Sequence, residues 1–172
     1  MSGSYIGKYR GTVLNNIDPE MRGRLMIMVP DVYGLIPSTW AEACIPLAGP
    51  TGPPMGFYIV PPIGTGVWVE FENGDPDHPI WVGCRWGAAS DIPPLAKSGL
   101  PISPNILIQS AGQNTFVISD LPGPTGGIML KSLTGASITV NDTGIYIQNG
   151  KGASLNMVGP SVTINNGALT II

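Results

Sequence analysis

Four carboxylates lie close together in the chain: Glu70, Glu72, Asp75 and Asp77. Paired carboxylates are what glycoside hydrolysis requires, one acting as acid and the other as base or nucleophile. Glu70 and Glu72 would share one face of a strand. No other feature of a sugar cleft accompanies them, and Asp75 and Asp77, beside Pro76 and Pro79, suit a turn. The single histidine, His78, follows directly. Its imidazole could respond to pH, but no cysteine or second histidine lies near it in sequence, so a solvated turn position is expected. Trp40, Trp68, Trp81 and Trp86, with Tyr58, could form a base-stacking platform. Such a platform needs a basic groove, and residues 1–90 hold only five Lys and Arg; core and inter-subunit packing is the expected use. Cys44 and Cys84 have no CxxC or metal spacing and read as reduced, buried thiols. The stretch Pro122-Gly123-Pro124-Thr125-Gly126-Gly127 lacks the Lys-Ser/Thr ending of a phosphate loop and reads as a turn. No catalytic, cofactor or metal site is therefore expected.

The elements that carry these residues follow from composition. The 172 residues include 24 Gly and 18 Pro, about a quarter of the chain, which excludes a helical bundle. Hydrophobic residues make up 43% and charged residues only 11%, which excludes a disordered chain. The net charge of −3 gives no basic footprint for nucleic acid. No signal peptide or apolar membrane span is read. So little charge on so small a chain suggests surface buried against other chains. Short strands joined by tight turns remain: an all-β fold.

Strand candidates run over 9–14, 24–30, 41–46, 66–72 and 79–84. In 66–72, Val67, Val69 and Phe71 alternate with Trp68, Glu70 and Glu72, and the polar turn 73–78 makes a hairpin with 79–84. Five strands in about 90 residues suggest a small barrel. Residues 91–104 are Pro-rich and read as a linker between a domain at 1–90 and a second at 105–172. The second holds only four charges, Asp120, Lys131, Asp142 and Lys151.

The second domain repeats. Apolar residues come in alternate pairs: Ile106 and Ile108, Phe116 and Ile118, Ile128 and Leu130, Ile138 and Val140, Ile145 and Ile147, Leu155 and Met157, Val162 and Ile164, Leu169 and Ile171. Asn, Asp, Gly, Ser and Thr lie between them. Each unit is a short strand with one apolar face, then a turn, and it can bury neither its face nor its edges alone. Two apolar side chains per unit are too few to fill a wide one-chain coil. Three chains about one axis bring six to each layer, so an intertwined trimeric β-helix or β-prism is expected. Its interior would be Ile128, Leu130, Ile138, Val140, Ile145, Ile147, Leu155, Met157, Val162 and Ile164. Thr143, in a turn, should tolerate a charge.

Three segments of the first domain carry a resemblance. One is Gly11-Thr12-Val13 with Asn15, Asp18-Pro19 and Gly23-Arg24-Leu25, then Val29-Pro30. A second runs from Trp40-Ala41 to Pro46 and Ala48-Gly49. The third runs from Gly56-Phe57 through Pro61-Pro62-Ile63-Gly64, Val67 to Phe71 and Gly74-Asp75-Pro76 to Val82-Gly83. The chain resembles the OB-fold spike proteins of contractile tails: phage baseplate assembly protein V and the VgrG spike of type VI secretion. The resemblance implies a homotrimer, an OB-fold collar under a tail hub protein, and a needle that pierces a target-cell envelope when the sheath contracts. It implies assembly in the cytoplasm and a mature place in a phage virion or extracellular injection particle. The needle spacing of 7 to 12 departs from the eight-residue repeat of some members. The His-x-His metal pair at some tips is absent, and the length leaves no room for a lysozyme or effector domain. Leu169, Thr170, Ile171 and Ile172 end the needle without charge, and the resemblance implies a separate PAAR-type tip protein docking there. The alternative is a carbohydrate- or nucleic-acid-binding OB module on a β-solenoid stalk.

Overall fold

The computed structural model describes residues 4–49 and 52–171. The chain divides into two compact units, Met1–Gly87 and Ala88–Ile172.

The first unit contains β1 (Tyr9–Asn15), β2 (Met26–Met28), a short helix α1 (Pro30–Tyr33), β3 (Glu42–Ala43), β4 (Ala48–Gly49), β5 (Met55–Gly56), β6 (Gly66–Phe71) and β7 (Pro79–Arg85). Five of these strands form one sheet in the order β2-β1-β6-β7-β3. Single bridges from Leu25 to Ala41 and from Met28 to Pro37 join its two ends, so the sheet curls into a barrel. The alternation expected over β6 is realised: Val67, Val69 and Phe71 are buried. They meet Val13, Leu25, Ile27, Val29, Ala41 and Trp81 in one core. Gly11 permits this packing, because a Cβ there would overlap the Ile27 side chain. The small hairpin β4–β5 and helix α1 are absent from the sequence reading; elements of two to four residues show no hydrophobic period to find.

The loop between β1 and β2 is held by one buried carboxylate. Asp18 accepts hydrogen bonds from the backbone N–H groups of Glu20 (3.0 Å), Arg22 (2.8 Å) and Arg24 (3.2 Å). It also accepts from Arg24 Nη2 at 2.7 Å. The Arg24 guanidinium, more than any other group, holds the Asp18 carboxyl well below the usual carboxylate range, and the three N–H donors add to this. The same guanidinium lies over the Trp40 ring, 5.8 Å from its centroid.

The second unit is one eight-stranded sheet: β8 (Ile106–Gln109), β9 (Thr115–Ser119), β10 (Gly127–Lys131), β11 (Ala136–Asn141), β12 (Gly144–Asn149), β13 (Ser154–Val158), β14 (Ser161–Ile164) and β15 (Leu169–Ile171). Each strand pairs antiparallel with the next in sequence, giving a meander. Side chains of the turns satisfy their own backbone. Asn141 Oδ1 accepts from the N–H groups of Thr143 (2.9 Å) and Gly144 (3.2 Å), and Asn149 Oδ1 does the same for Lys151 and Ala153. The Pro-rich segment before β8 forms two 3₁₀ turns, Ala89–Asp91 and Pro94–Lys97. The second is tied to the foot of β8, where Asn105 Nδ2 donates to the Leu95 carbonyl at 2.7 Å.

Candidate functional site

The register of the second sheet turns eight separate apolar pairs into a surface. Directly opposed residues align in one row, Ile106, Ile118, Ile128, Val140, Ile145, Met157, Val162 and Ile171. A second row beside it runs Ile108, Phe116, Leu130, Ile138, Ile147, Leu155, Ile164 and Leu169. Opposed residues point to the same side of a sheet, so all sixteen share one face. None of them is buried. Exposure runs from 36% at Met157 to 63% at Ile106 among the most open ones. On the other face the corresponding positions turn polar after β10: Leu107, Val117 and Met129 are followed by Thr139, Tyr146, Asn156 and Thr163. That face is the covered one at β9, where Thr115, Val117 and Ser119 are buried. A continuous exposed apolar face of this size marks an interaction surface.

The ten interior positions expected from the sequence all fall in these two rows. Ile106, Ile108, Phe116 and Ile118 extend the rows at one end by the same alternation. Leu169 and Ile171 extend them at the other, on β15, the outermost strand of the sheet. Ile172 and the side chain of Thr170 lie outside the described residues.

The first unit gives its candidate chemistry structural work. Glu72 lies just past β6 at the start of the 3₁₀ turn Glu72–Gly74, where Asn73 takes φ +54°, and its N–H donates to the His78 carbonyl at 3.0 Å. Glu70 is ion-paired with Lys8. Asp75 accepts from the Asp77 N–H at 3.0 Å and faces His78 Nδ1 at 3.1 Å. The Asp77 N–H, followed by His78, holds the Asp75 carboxyl below its usual range. His78 is exposed in this turn. Tyr33 donates its hydroxyl to the Pro76 carbonyl, and burial first of all pushes its phenol up to about 12.

The tryptophans are dispersed rather than ranked in a platform. Trp81 is buried and donates Nε1–H to the Gly23 carbonyl at 3.0 Å. Trp68 lies beneath Arg10, and Trp86 is exposed. Both cysteines are exposed, which corrects the expectation of buried thiols. Cys44 lies just past the two-residue strand β3, and Cys84 lies beyond the irregularity that breaks the β6–β7 register between Trp68 and Val69. Among the described residues no three His, Cys, Asp or Glu side chains are grouped to hold a metal ion, and no helix is long and apolar enough to cross a membrane.

Family models match both units. Residues 9–86 match the type VI secretion system/phage-baseplate injector OB domain. Residues 105–170, which carry all of the apolar row residues but Ile171, match the phage baseplate V C-terminal trimerisation domain. The chain belongs to the phage baseplate V family. A search of curated proteins returned no match. Membership makes the chain a structural baseplate component, and it gives the sheet of the second unit a role as a trimerisation element.

Proposed function

We propose that this baseplate V protein is the central spike of a contractile injection particle, a trimer whose three sheets close apolar face to apolar face into a prism. The observation that carries this reading is the pair of unbroken apolar rows across all eight strands. Three such faces about one axis remove some forty-eight aliphatic and aromatic side chains from water, at roughly 1.5–3 kcal/mol for each one fully buried. Since each is already part-covered in its own sheet, the gain on assembly is a fraction of that. A dry interior between hydrogen-bonded sheets resists buckling, which is the property needed to drive a tip through a target-cell envelope. The OB-fold units form the collar beneath a tail hub protein. β15, as the outermost strand, leaves one row of backbone N–H and C=O groups unpaired within the sheet. A separate PAAR-type tip protein docks there by edge pairing and by contact with Leu169 and Ile171.

Light scattering and negative-stain imaging test the reading. The expected result is three times the 18.0 kDa chain mass in an elongated particle; a folded monomer refutes it. Deletion of Leu169 to Ile172 is expected to abolish tip-protein capture while the trimer persists, and unchanged capture refutes that docking site.

A further inference from the structure

The sheet of the second unit also sorts its charges. Residues 105–172 hold four, and the meander places them on opposite lateral edges. The turns at 110–114, 132–135, 150–153 and 165–168 lie along one edge, and those at 120–126, 142–143 and 159–160 along the other. Lys131 closes β10 at the first edge, and Lys151 lies in its β12–β13 turn. Asp120 and Asp142 lie in turns of the second edge. Hydrogen bonds between successive turns fix each edge. Leu133 N–H donates to Asn114 Oδ1 at 3.4 Å on the lysine side. Gly123 N–H donates to Asp142 Oδ2 at 3.1 Å on the aspartate side. All four charged residues are exposed, and among the described residues none has an ion-pair partner in its own chain.

We propose that these two edges are complementary docking edges for a second copy of the chain, closing the trimer head to tail through Lys131 and Lys151 of one copy and Asp120 and Asp142 of the next. The proposal rests on the trimeric reading above and specifies how that trimer closes. A twofold pairing would set each edge against itself, lysine on lysine and aspartate on aspartate; a cyclic pairing sets each edge against its opposite. The positions along the sheet also agree. Asp120 precedes β10, which Lys131 closes, an offset of about half a strand. Asp142 precedes β12, which Lys151 follows, an offset of about one strand. With strands about 4.8 Å apart, a single shift of roughly 2–5 Å between neighbouring copies, in one direction, brings both pairs together. Matching Lys131 to Asp142 instead requires a shift of the opposite sign. The charges therefore set closure and axial register, while the apolar rows supply the drive to associate.

Charge reversal of the full chain tests this by native mass spectrometry and sedimentation at low and high salt, with circular dichroism confirming that the sheets fold. Lys131→Glu with Lys151→Glu makes both edges acidic, and Asp120→Lys with Asp142→Lys makes both basic. Each pair of substitutions is expected to raise the concentration of half-dissociation at least about tenfold at low salt, with most of the difference screened at high salt. The chain carrying all four reversals restores opposite edges and is expected to return to within about threefold of the parent. Asp142→Asn keeps the oxygen that accepts from Gly123 and is expected to reduce the salt dependence alone. A trimeric parent whose paired reversals assemble unchanged, or whose fourfold reversal is as weak as either half, overturns the edge pairing and leaves the trimer standing. A monomeric parent overturns both.

Discussion

Replacing Ile147 by Asp tests the face that drives assembly. Ile147 sits mid-row between Ile138 and Leu155 and keeps 38% of its surface exposed in its own sheet. Burying that remainder is worth only about 1 kcal/mol per chain. The carboxylate changes the scale. Threefold symmetry brings three copies to one level of a dry interior, and an unpaired buried charge costs several kcal/mol. Facing sheets pack about 10 Å apart, and at that distance each pair of carboxylates repels by about 1.7 kcal/mol at an effective dielectric of 20. Three pairs give about 5 kcal/mol of repulsion alone, a factor of several thousand in assembly. Gln148→Asp is the matched control: one residue along β12, on the opposite face, exposed. Size-exclusion light scattering at neutral pH is expected to find Ile147→Asp monomeric and Gln148→Asp trimeric. The interior raises the introduced carboxyl's pKa in the trimer, so the trimer is penalised as pH rises past the ordinary value near 4 and recovers below it. Equal assembly of the two variants at neutral pH would refute the assignment of the inward face.

Three further outcomes are expected. Asp18 has its pKa lowered in the fold, so its contribution to stability is full above the ordinary value near 4 and is lost as pH falls below it towards the folded value. Thermal melts against pH are expected to show a flatter acid limb, and a lower melting temperature at neutral pH, for Asp18→Asn. Leu25→Ala empties a fully buried barrel position and is expected to cost about 2–5 kcal/mol in urea unfolding followed by tryptophan fluorescence. Gly127→Ala is expected to disrupt the β10–β11 pairing, read as lost hydrogen-exchange protection there. Its φ of +86° disfavours a side chain, and a Cβ would lie inside the van der Waals surface of the Val140 carbonyl oxygen.

The alternating pairs from Ile106 to Ile171 were readable in the sequence because a strand's side-chain period is two and polar turns interrupt it at each end. The alternation of Val67, Val69 and Phe71 was readable for the same reason, and the structure buries that face. Which pairs lie opposite which is not local information. Only register aligned Ile128 with Ile118 and Val140, and so made two rows from sixteen residues. The separation of Lys131 and Lys151 from Asp120 and Asp142 likewise emerges from the reversal of direction at every turn. Thr143 reads as a free turn residue, yet its hydroxyl lies 2.7 Å from Asn141 Oδ1 and 2.8 Å from the Tyr146 hydroxyl. The hydroxyl is thus engaged within the turn, through partners that residue type alone does not reveal. Glu70 and Glu72 read as one acidic face, but only the structure gave Glu70 the distant Lys8 as its ion-pair partner, and Cys44 and Cys84 read as core by residue type alone. Residue type and period thus determined the longer strands and which of their sides are apolar. Pairing, turn geometry and hydrogen bonding between segments distant in sequence decided what each face and edge can meet, because those free energies exist only once the segments are in contact.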